Sequence, residues 1–242
     1  VQITNTDQQD ILCWKPATKG ICTSKEAYKH LASQRQQPLP QHGSRALPDT
    51  EQMELLRRVT DHGTTCFTDA TYLNTPDGSP TNAGLGVLFC NSTGPIMPAI
   101  EVRAVASRVT SPLQAEAMAL LMASKIAKAL ALHKVIYVSD SQLMVDTLKG
   151  NDYRRNPAHW TLRPLLYEFR SNNAGIQFTT HKISRHSNTI AHNLAQEASR
   201  VQYSPNYQFS CNHLAHRDQC PVREAFQLVT WGDLSPVVVT CR

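Results

Sequence analysis

The order of strand and helix patterns after residue 63 restricts this chain to few folds. Residues 64–72, 83–90 and 96–106 have strand patterns joined by short connections rich in Gly, Pro and Asn, so neighbouring strands should pair antiparallel. Helical patterns then separate two further strands, 134–139 and 176–182, which should pair parallel through right-handed crossovers. The sequence predicts an α/β domain with a mixed five-stranded sheet, an antiparallel meander plus parallel strands, flanked by helices.

Four helices are expected around these strands. The longest runs from Ser111 to about residue 132, because Ser at the N-cap and Pro112 at the first helical position are typical of a helix start. The other three are predicted at about 141–149, 157–171 and 187–200. Together, the strands and helices follow one another in the order βββαβααβα.

The segments outside the predicted domain have weaker patterns. The domain itself spans residues 62–200. Before it, residues 1–34 contain one short helical stretch at 24–32, and residues 35–61 combine a Gln/Pro-rich linker with a lead-in helix. After it, residues 201–242 form a tail that contains Cys and His.

The composition is that of a globular protein with a mild basic bias. Of its 242 residues, 41% are hydrophobic and 18% charged, and the net charge of +5 is compatible with a nucleic-acid partner without requiring one. Seven cysteines, an odd number, favour free thiols in a reducing compartment, the nucleus or the cytoplasm. No apolar run approaches membrane-spanning length. Because the sequence begins with Val1, we expect it to be part of a longer protein.

Three acidic residues lie where the predicted topology would bring them together. Asp69 lies within the first strand, Glu116 near the start of the long helix, and Asp140 directly after the fourth strand. Each alone has an ordinary explanation: a turn hydrogen bond for Asp69, the helix dipole for Glu116, and helix capping for Asp140. As a group they make a cage of hard oxygen ligands suited to Mg²⁺, the basis of two-metal phosphodiester chemistry.

Five short motifs occur in order along the predicted domain. They are Thr68-Asp69-Ala70, Gly84-Leu85-Gly86-Val87, Ala115-Glu116-Ala117, Ser139-Asp140-Ser141 and Arg185-x-x-Asn188-x-x-Ala191-x-Asn193-Leu194-Ala195. As a set they resemble the ribonuclease H domain carried by plant non-LTR (LINE-type) retroelements and by related plant proteins, over about residues 62–200. The resemblance implies a βββαβαβα fold and hydrolysis of the RNA strand of an RNA/DNA hybrid by two Mg²⁺ ions held by four carboxylates.

The resemblance implies that Asp69 bridges both metal ions and that Glu116 and Asp140 each hold one. The fourth acidic position of the family is occupied here by His192. Imidazole is a neutral, softer ligand that Mg²⁺ disfavours and that Mn²⁺ or Zn²⁺ accepts. We therefore expect these four residues to form the catalytic and metal-binding set, with Mg²⁺-dependent cleavage reduced or lost and a residual Mn²⁺-dependent activity.

Two other functions are compatible with the same residues. One is a catalytically silent module of the same fold that binds nucleic acid or another protein. The other is a DEDD-type exonuclease, which fits the meander and the motif spacing less well. Cleavage of a hybrid by the wild-type chain would distinguish a nuclease from the silent module.

Binding of a hybrid should depend mainly on contacts to phosphates and 2′-hydroxyl groups. Basic residues and a strand without bulky side chains are suited to such contacts. The candidates for nucleic-acid binding are Asn82, Gly84, Arg154, Arg155, Lys182 and Arg185.

The two ends of the chain carry further signals. The segment with Asp10-Ile-Leu-Cys-Trp14 resembles the part of plant LINE-type polyproteins that follows the reverse transcriptase. In the tail, four residues could hold a structural Zn²⁺, although their spacing matches no standard zinc finger and ordinary packing of a C-terminal extension is the alternative. These residues are Cys211, His216, Cys220 and Cys241.

Overall fold

The computed structural model describes residues 2–3, 12–13, 63–73, 81–91, 99–150, 159–200, 208–213, 216 and 219–242. The chain divides into two compact units, residues 1–46 and 47–242. In the first unit, the described residues form two short antiparallel strands, β1 (Gln2–Ile3) and β2 (Leu12–Cys13). The helix expected at 24–32, the segment 35–61, Arg154 and Arg155 lie outside the described residues.

The second unit contains one large sheet and its helices. Its strands are β3 (Thr64–Tyr72), β4 (Thr81–Asn91), β5 (Ile100–Val109), β6 (Lys134–Ser139), β7 (Gln177–Lys182), β8 (Gln208–Cys211) and β9 (Leu234–Cys241). Its helices are α1 (Pro112–Ala129), α2 (Gln142–Lys149), α3 (Arg163–Asn172), α4 (Thr189–Arg200) and α5 (Pro221–Gln227), with short 3₁₀ helices at Trp160–Leu162 and Arg185–Ser187. No helix among the described residues is both long and apolar enough to cross a membrane.

The sheet combines antiparallel and parallel strands in the order β7-β6-β3-β4-β5-β9-β8. Strands β3, β4 and β5 form the antiparallel meander, and β6 and β7 extend it in parallel beyond β3. The mixed α/β class predicted from the sequence is confirmed. The expected βββαβααβα order is also present from β3 to α4.

The predicted count of five strands was wrong, because the C-terminal tail adds two more to the sheet. Strand β9 pairs antiparallel with the free edge of β5, from Ile100 opposite Cys241 to Ala106 opposite Leu234, and β8 pairs parallel with β9. Pro236 interrupts the strand pattern of the tail, but it lies where the register shifts, a place where a sheet tolerates Pro. The Val-rich tail thus covers an edge that would otherwise be open.

The two faces of the sheet bury different side chains. Cys66 and Tyr137 lie in the larger core cluster with residues of α1 and α3, whereas their neighbours Phe67 and Val138 lie in a smaller cluster with Ile183. Successive side chains of a strand point to opposite faces, so α1 and α3 cover one face. Helix α4 covers the other, where it contacts β3, β4 and β5.

Helix α4 lies unusually close to β4 because two glycines of the strand face it. A Cβ atom on Gly84 would be 2.1 Å from the carbonyl oxygen of Ala195, and one on Gly86 would be 2.0 Å from that of Ala191. No side chain fits in such a space, so backbone meets backbone. The glycine motif Gly84-Leu85-Gly86-Val87 therefore sets the distance between α4 and the sheet.

We expect Gly86→Ala to destabilise the protein strongly, because the added methyl group would push α4 away from β4. Overpacking of this kind costs about 3 kcal/mol, which corresponds to a Tm lower by roughly 6–12 °C for a domain of this size. Gly150→Ala is the matched control, since its Cβ would be 3.5 Å from the nearest atoms. Thermal unfolding of both variants would test this, and equal Tm values would contradict the packing role of Gly86.

Candidate functional site

Parallel pairing of β3 with β6 brings Asp69 next to Asp140. Phe67 lies opposite Val138 in this register, and two residues further along each chain are Asp69 and Asp140. Asp69 is still inside β3, where it is 3% exposed, and Asp140 follows the last residue of β6. The helix after β6 is capped by the Ser141 side chain, which accepts from Met144 N, so the Asp140 carboxylate is not needed as the cap.

Glu116 reaches the same place from α1. Its helix begins as expected, with Pro112 at the first position and the Ser111 hydroxyl accepting from Gln114 N at 3.2 Å. Carboxylate oxygens of Asp69, Glu116 and Asp140 lie within 4.8 Å of one another. Three separate elements therefore bring their acids to one point, as the sequence predicted.

The electrostatics of this cluster are unfavourable for three negative charges. Burial raises the pKa of Glu116 well above its ordinary value, and the charges of Asp69 and Asp140 raise it further. Burial and the Asp140 charge also raise the pKa of Asp69, against the lowering effect of its hydrogen bond from His192. A buried set of like charges needs a proton or a cation to balance it.

A divalent cation fits the residues that are present. The Oε2 atom of Glu116 is buried and has no hydrogen-bond partner within the described part of the chain, although such an atom normally has one. All three side chains offer hard oxygen ligands, the type that Mg²⁺ and Mn²⁺ prefer. The cluster is thus chemically suited to hold a cation between Asp69, Glu116 and Asp140.

Both ring nitrogens of His192 take part in hydrogen bonds, one of them with Asp69. Nδ1 lies 2.6 Å from Asp69 Oδ2, while Nε2 lies 2.9 Å from Gln196 Nε2 and 3.4 Å from a guanidinium nitrogen of Arg185. Arginine can only donate, so His192 Nε2 accepts and Nδ1–H donates to Asp69, an assignment that follows from this network. The role of His192 as a metal ligand stays a prediction.

Gln196 and Asn188, which lie next to His192 or to Asp69, were not among the predicted site residues, although Asn188 belongs to the fifth sequence motif. Gln196 lies one helical turn after His192, and this spacing is the signal that could have identified it. Asn188 is 1% exposed and donates to the carbonyl oxygen of Thr68 at 3.0 Å. It fixes the start of α4 against the β3 residue that precedes Asp69.

The residues proposed to bind nucleic acid are placed differently by the structure. Arg185 begins the 3₁₀ helix before α4, and its charge acts on Glu116, whose pKa it lowers. Lys182 is exposed and pairs with Ser139, the residue before Asp140. Asn82 is exposed in β4, whereas Gly84 is buried against α4. The contacts of these four residues with nucleic acid stay predictions.

The four Cys and His residues of the tail also come together. One potential ligand atom from each of them lies within 4.8 Å of the others. The group lies at the far edge of the sheet from β7, since it involves β8 and β9. These residues are Cys211, His216, Cys220 and Cys241.

Comparison with known protein families gives a match over residues 73–198, to a family described as reverse transcriptase-like. That match covers more than half of the 242 residues. The chain belongs to the reverse transcriptase-like family. Within this family member, Glu116, Asp140 and His192 lie inside the matched range, and Asp69 lies just before it. Among curated proteins, no relative was found.

Several solved structures of ribonucleases H are similar to this reverse transcriptase-like chain. RNase H1 from the archaeon Halobacterium salinarum is 26% identical, with a TM-score of 0.47, and the alignment covers 56% of this chain and 96% of that one. An N-terminal RNase H domain from Mycobacterium tuberculosis is 23% identical, with a TM-score of 0.46 and coverages of 56% and 91%. LC11-RNase H1 in complex with an RNA/DNA hybrid is 21% identical, with a TM-score of 0.46 and coverages of 56% and 95%.

The raised pKa of Glu116 gives a prediction about stability. Because the folded chain favours the protonated acid, the contribution of Glu116 is present below its ordinary pKa of 4.5 and is lost as the pH rises through the raised value. Without added divalent cations, Glu116→Gln should therefore have a higher Tm than the wild type at pH 7. The difference should shrink as the pH falls towards 4.5.

Added Mn²⁺ should reverse this order, because it would stabilise the wild type and act less on Glu116→Gln. Glu224→Gln, which changes an exposed carboxylate on α5, serves as the control and should respond to Mn²⁺ as the wild type does. An equal Mn²⁺ response in wild type and Glu116→Gln would contradict a cation site at this cluster.

Proposed function

We propose that this chain is a ribonuclease H-type nuclease that hydrolyses the RNA strand of RNA/DNA hybrids. The observation that carries the proposal is the convergence of Asp69, Glu116 and Asp140 from three elements, with Glu116 Oε2 lacking a hydrogen-bond partner. Membership of the reverse transcriptase-like family supports it. So does the order of the ribonuclease H motifs in the sequence.

The three carboxylates would hold the divalent cations of such a reaction, Mg²⁺ or Mn²⁺. When bound, these ions supply Lewis-acid stabilisation of the phosphate oxygens and lower the pKa of a water molecule. Asp69 is held in place by β3. The charge of Arg185 acts on Glu116, and Lys182 lies opposite Ser139, next to Asp140, so both cations are placed to attract a phosphate backbone. Their positions beside the carboxylates suit a substrate that carries a negative charge at every phosphate.

His192 should make this site weak with Mg²⁺. As the neutral tautomer it adds no negative charge, and its Nδ1–H occupies the Oδ2 atom of Asp69. To bind a metal ion through a ring nitrogen, the imidazole would have to give up Asp69 or its contacts with Gln196 and Arg185. Mn²⁺ accepts imidazole more readily than Mg²⁺ does, so we expect activity to be greater with Mn²⁺.

The alternative function is a module that binds the hybrid without cutting it. The observation that favours it is the 2.6 Å hydrogen bond between His192 and Asp69. This bond balances part of the charge of the cluster without a second metal ion. Binding would then depend on the basic residues, and the three acids would hold at most one structural cation.

Cleavage of a labelled RNA/DNA hybrid distinguishes the two functions. The wild type should cut slowly with Mn²⁺ and more slowly still with Mg²⁺. His192→Asp would restore a fourth acid and should raise the Mg²⁺-dependent rate by about 10–100-fold, the size of effect that metal-site neighbours usually have. Asp69→Asn should abolish cleavage with either ion, because it removes one of the three carboxylate ligands.

His192→Asn is the matched control for this experiment, since it removes the imidazole without adding a charge. It should leave the Mg²⁺-dependent rate far below that of His192→Asp. If the wild type and His192→Asp are both inert but bind the hybrid, the silent module is the correct function. Cleavage that persists in Asp69→Asn would show that the activity does not arise at this site.

Hybrid binding should depend on the edge of the sheet that carries the acids. Arg185→Ala and Lys182→Ala should each weaken hybrid binding and reduce the slope of log Kd against log salt by roughly one phosphate contact. Lys134→Ala removes the same charge from the opposite end of β6 and is the control. Equal losses in all three variants, measured by fluorescence anisotropy without divalent ions, would contradict the assigned face.

The origin and location of the protein are further parts of this proposal. The motifs quoted above support descent from a plant LINE-type retroelement, with residues 1–34 as a remnant of the segment after its reverse transcriptase. Cys66, Cys90, Cys211, Cys220 and Cys241 are free thiols in the structure. This supports a reducing compartment, the nucleus or the cytoplasm, as the place where the chain works.

A further inference from the structure

The C-terminal tail brings three cysteines and one histidine together from separate parts of its fold. Cys211 ends β8 and Cys241 ends β9, and the parallel pairing places these two residues opposite each other. Cys220 is the N-cap residue of α5, and its side chain is not used to cap that helix. His216 comes from the connection between β8 and α5. Tertiary structure, rather than sequence spacing, creates the group.

The distances within the group are those of ligands around a common centre. His216 Nδ1 lies 3.4 Å from the Sγ atoms of Cys211, Cys220 and Cys241 alike. An imidazole nitrogen has a single in-plane bonding direction, so it cannot form three hydrogen bonds at once. Three sulfur atoms at equal distances from one nitrogen are instead the arrangement expected of four ligands around a single metal ion.

The spacing agrees with tetrahedral zinc. With Zn–S of about 2.3 Å and Zn–N of about 2.0–2.1 Å, sulfur and nitrogen ligands of one ion are separated by roughly 3.6 Å. We propose that Cys211, His216, Cys220 and Cys241 bind a structural Zn²⁺ ion in a Cys₃His site. All four positions are filled by protein ligands, so the site has no open position for a substrate, unlike catalytic zinc sites.

The position of the group explains what the ion would do. It joins the ends of β8 and β9 to the start of α5, the three elements of the tail. The tail packs on the rest of the unit through buried Val222 and Phe226, and through the pairing of β9 with β5. A zinc ion would thus hold this short extension in one conformation and keep it at the edge of the sheet.

Burial of the ligands is consistent with this role. Cys241 is fully buried and Cys220 is 8% exposed, whereas Cys211 and His216 are half-buried. The partly open side gives the ion a path of entry, which a structural site requires. A disulfide is the competing explanation, but it would use two of the three thiols and would leave both the third thiol and His216 without a function.

Metal analysis of the full chain, purified under reducing conditions and supplied with Zn²⁺, tests the proposal. The expected result is about one tightly held zinc per chain, released when the thiols are modified with a mercurial reagent. Replacement by Co²⁺ should give the absorption of a tetrahedral thiolate-bound cobalt centre. Chelation should lower the Tm of the wild type, and zinc should restore it.

Two variants connect the metal to these residues. Cys211→Ser, at a partly exposed ligand, should lose the zinc and the thiolate-to-cobalt band, whereas Cys90→Ser changes a half-buried thiol of β4 and should keep both. The cobalt spectrum of the wild type remains decisive if Cys211→Ser folds poorly. No tight metal, a disulfide among the three thiols under reducing conditions, or unchanged zinc in a folded Cys211→Ser would overturn the proposal.

Discussion

Backbone contact between α4 and β4 is the constraint on which the site depends. Because Gly84 and Gly86 have no side chains, α4 lies close enough for Asn188 to reach the carbonyl of Thr68 and for His192 to reach Asp69. A helix displaced by the width of one methyl group would separate His192 from Asp69. The two glycines therefore determine how α4 packs on the sheet, and this packing determines which side chains surround Asp69.

The site holds three carboxylates with like charges close together. Asp69, Glu116 and Asp140 repel one another at close range in a partly buried place, and this repulsion is what makes the group receptive to a cation. His192 relieves part of it through its hydrogen bond with Asp69. The same arrangement thus provides the means of binding metal and a reason for weak catalysis with Mg²⁺.

Much of the fold could be predicted from the sequence because its local signals agree with its tertiary structure. Strand alternation, the Ser111-Pro112 helix start and the turn residues gave β3–β7 and α1–α4 and the gathering of the acids. Strands β8 and β9 were missed because β9 is stabilised by pairing with β5 and β8 by pairing with β9, and because Pro236 interrupts the strand pattern. The tautomer of His192 and its contacts with Gln196 and Arg185 depend on residues brought together by packing, so no local pattern contains them. The Cys and His residues of the tail could be named from the sequence as possible zinc ligands, but their distances depend on the pairing of β8 with β9.

The central claim is that three carboxylates from β3, α1 and the end of β6 form one cation site. A crystal structure of the wild-type chain grown with Mn²⁺, with anomalous diffraction data, measures this most directly. The account predicts an anomalous peak bonded to oxygen atoms of Asp69, Glu116 and Asp140, with His192 still hydrogen-bonded to Asp69. A structure at millimolar Mn²⁺ with no peak there, or with the three carboxylates turned away from one another, would contradict it.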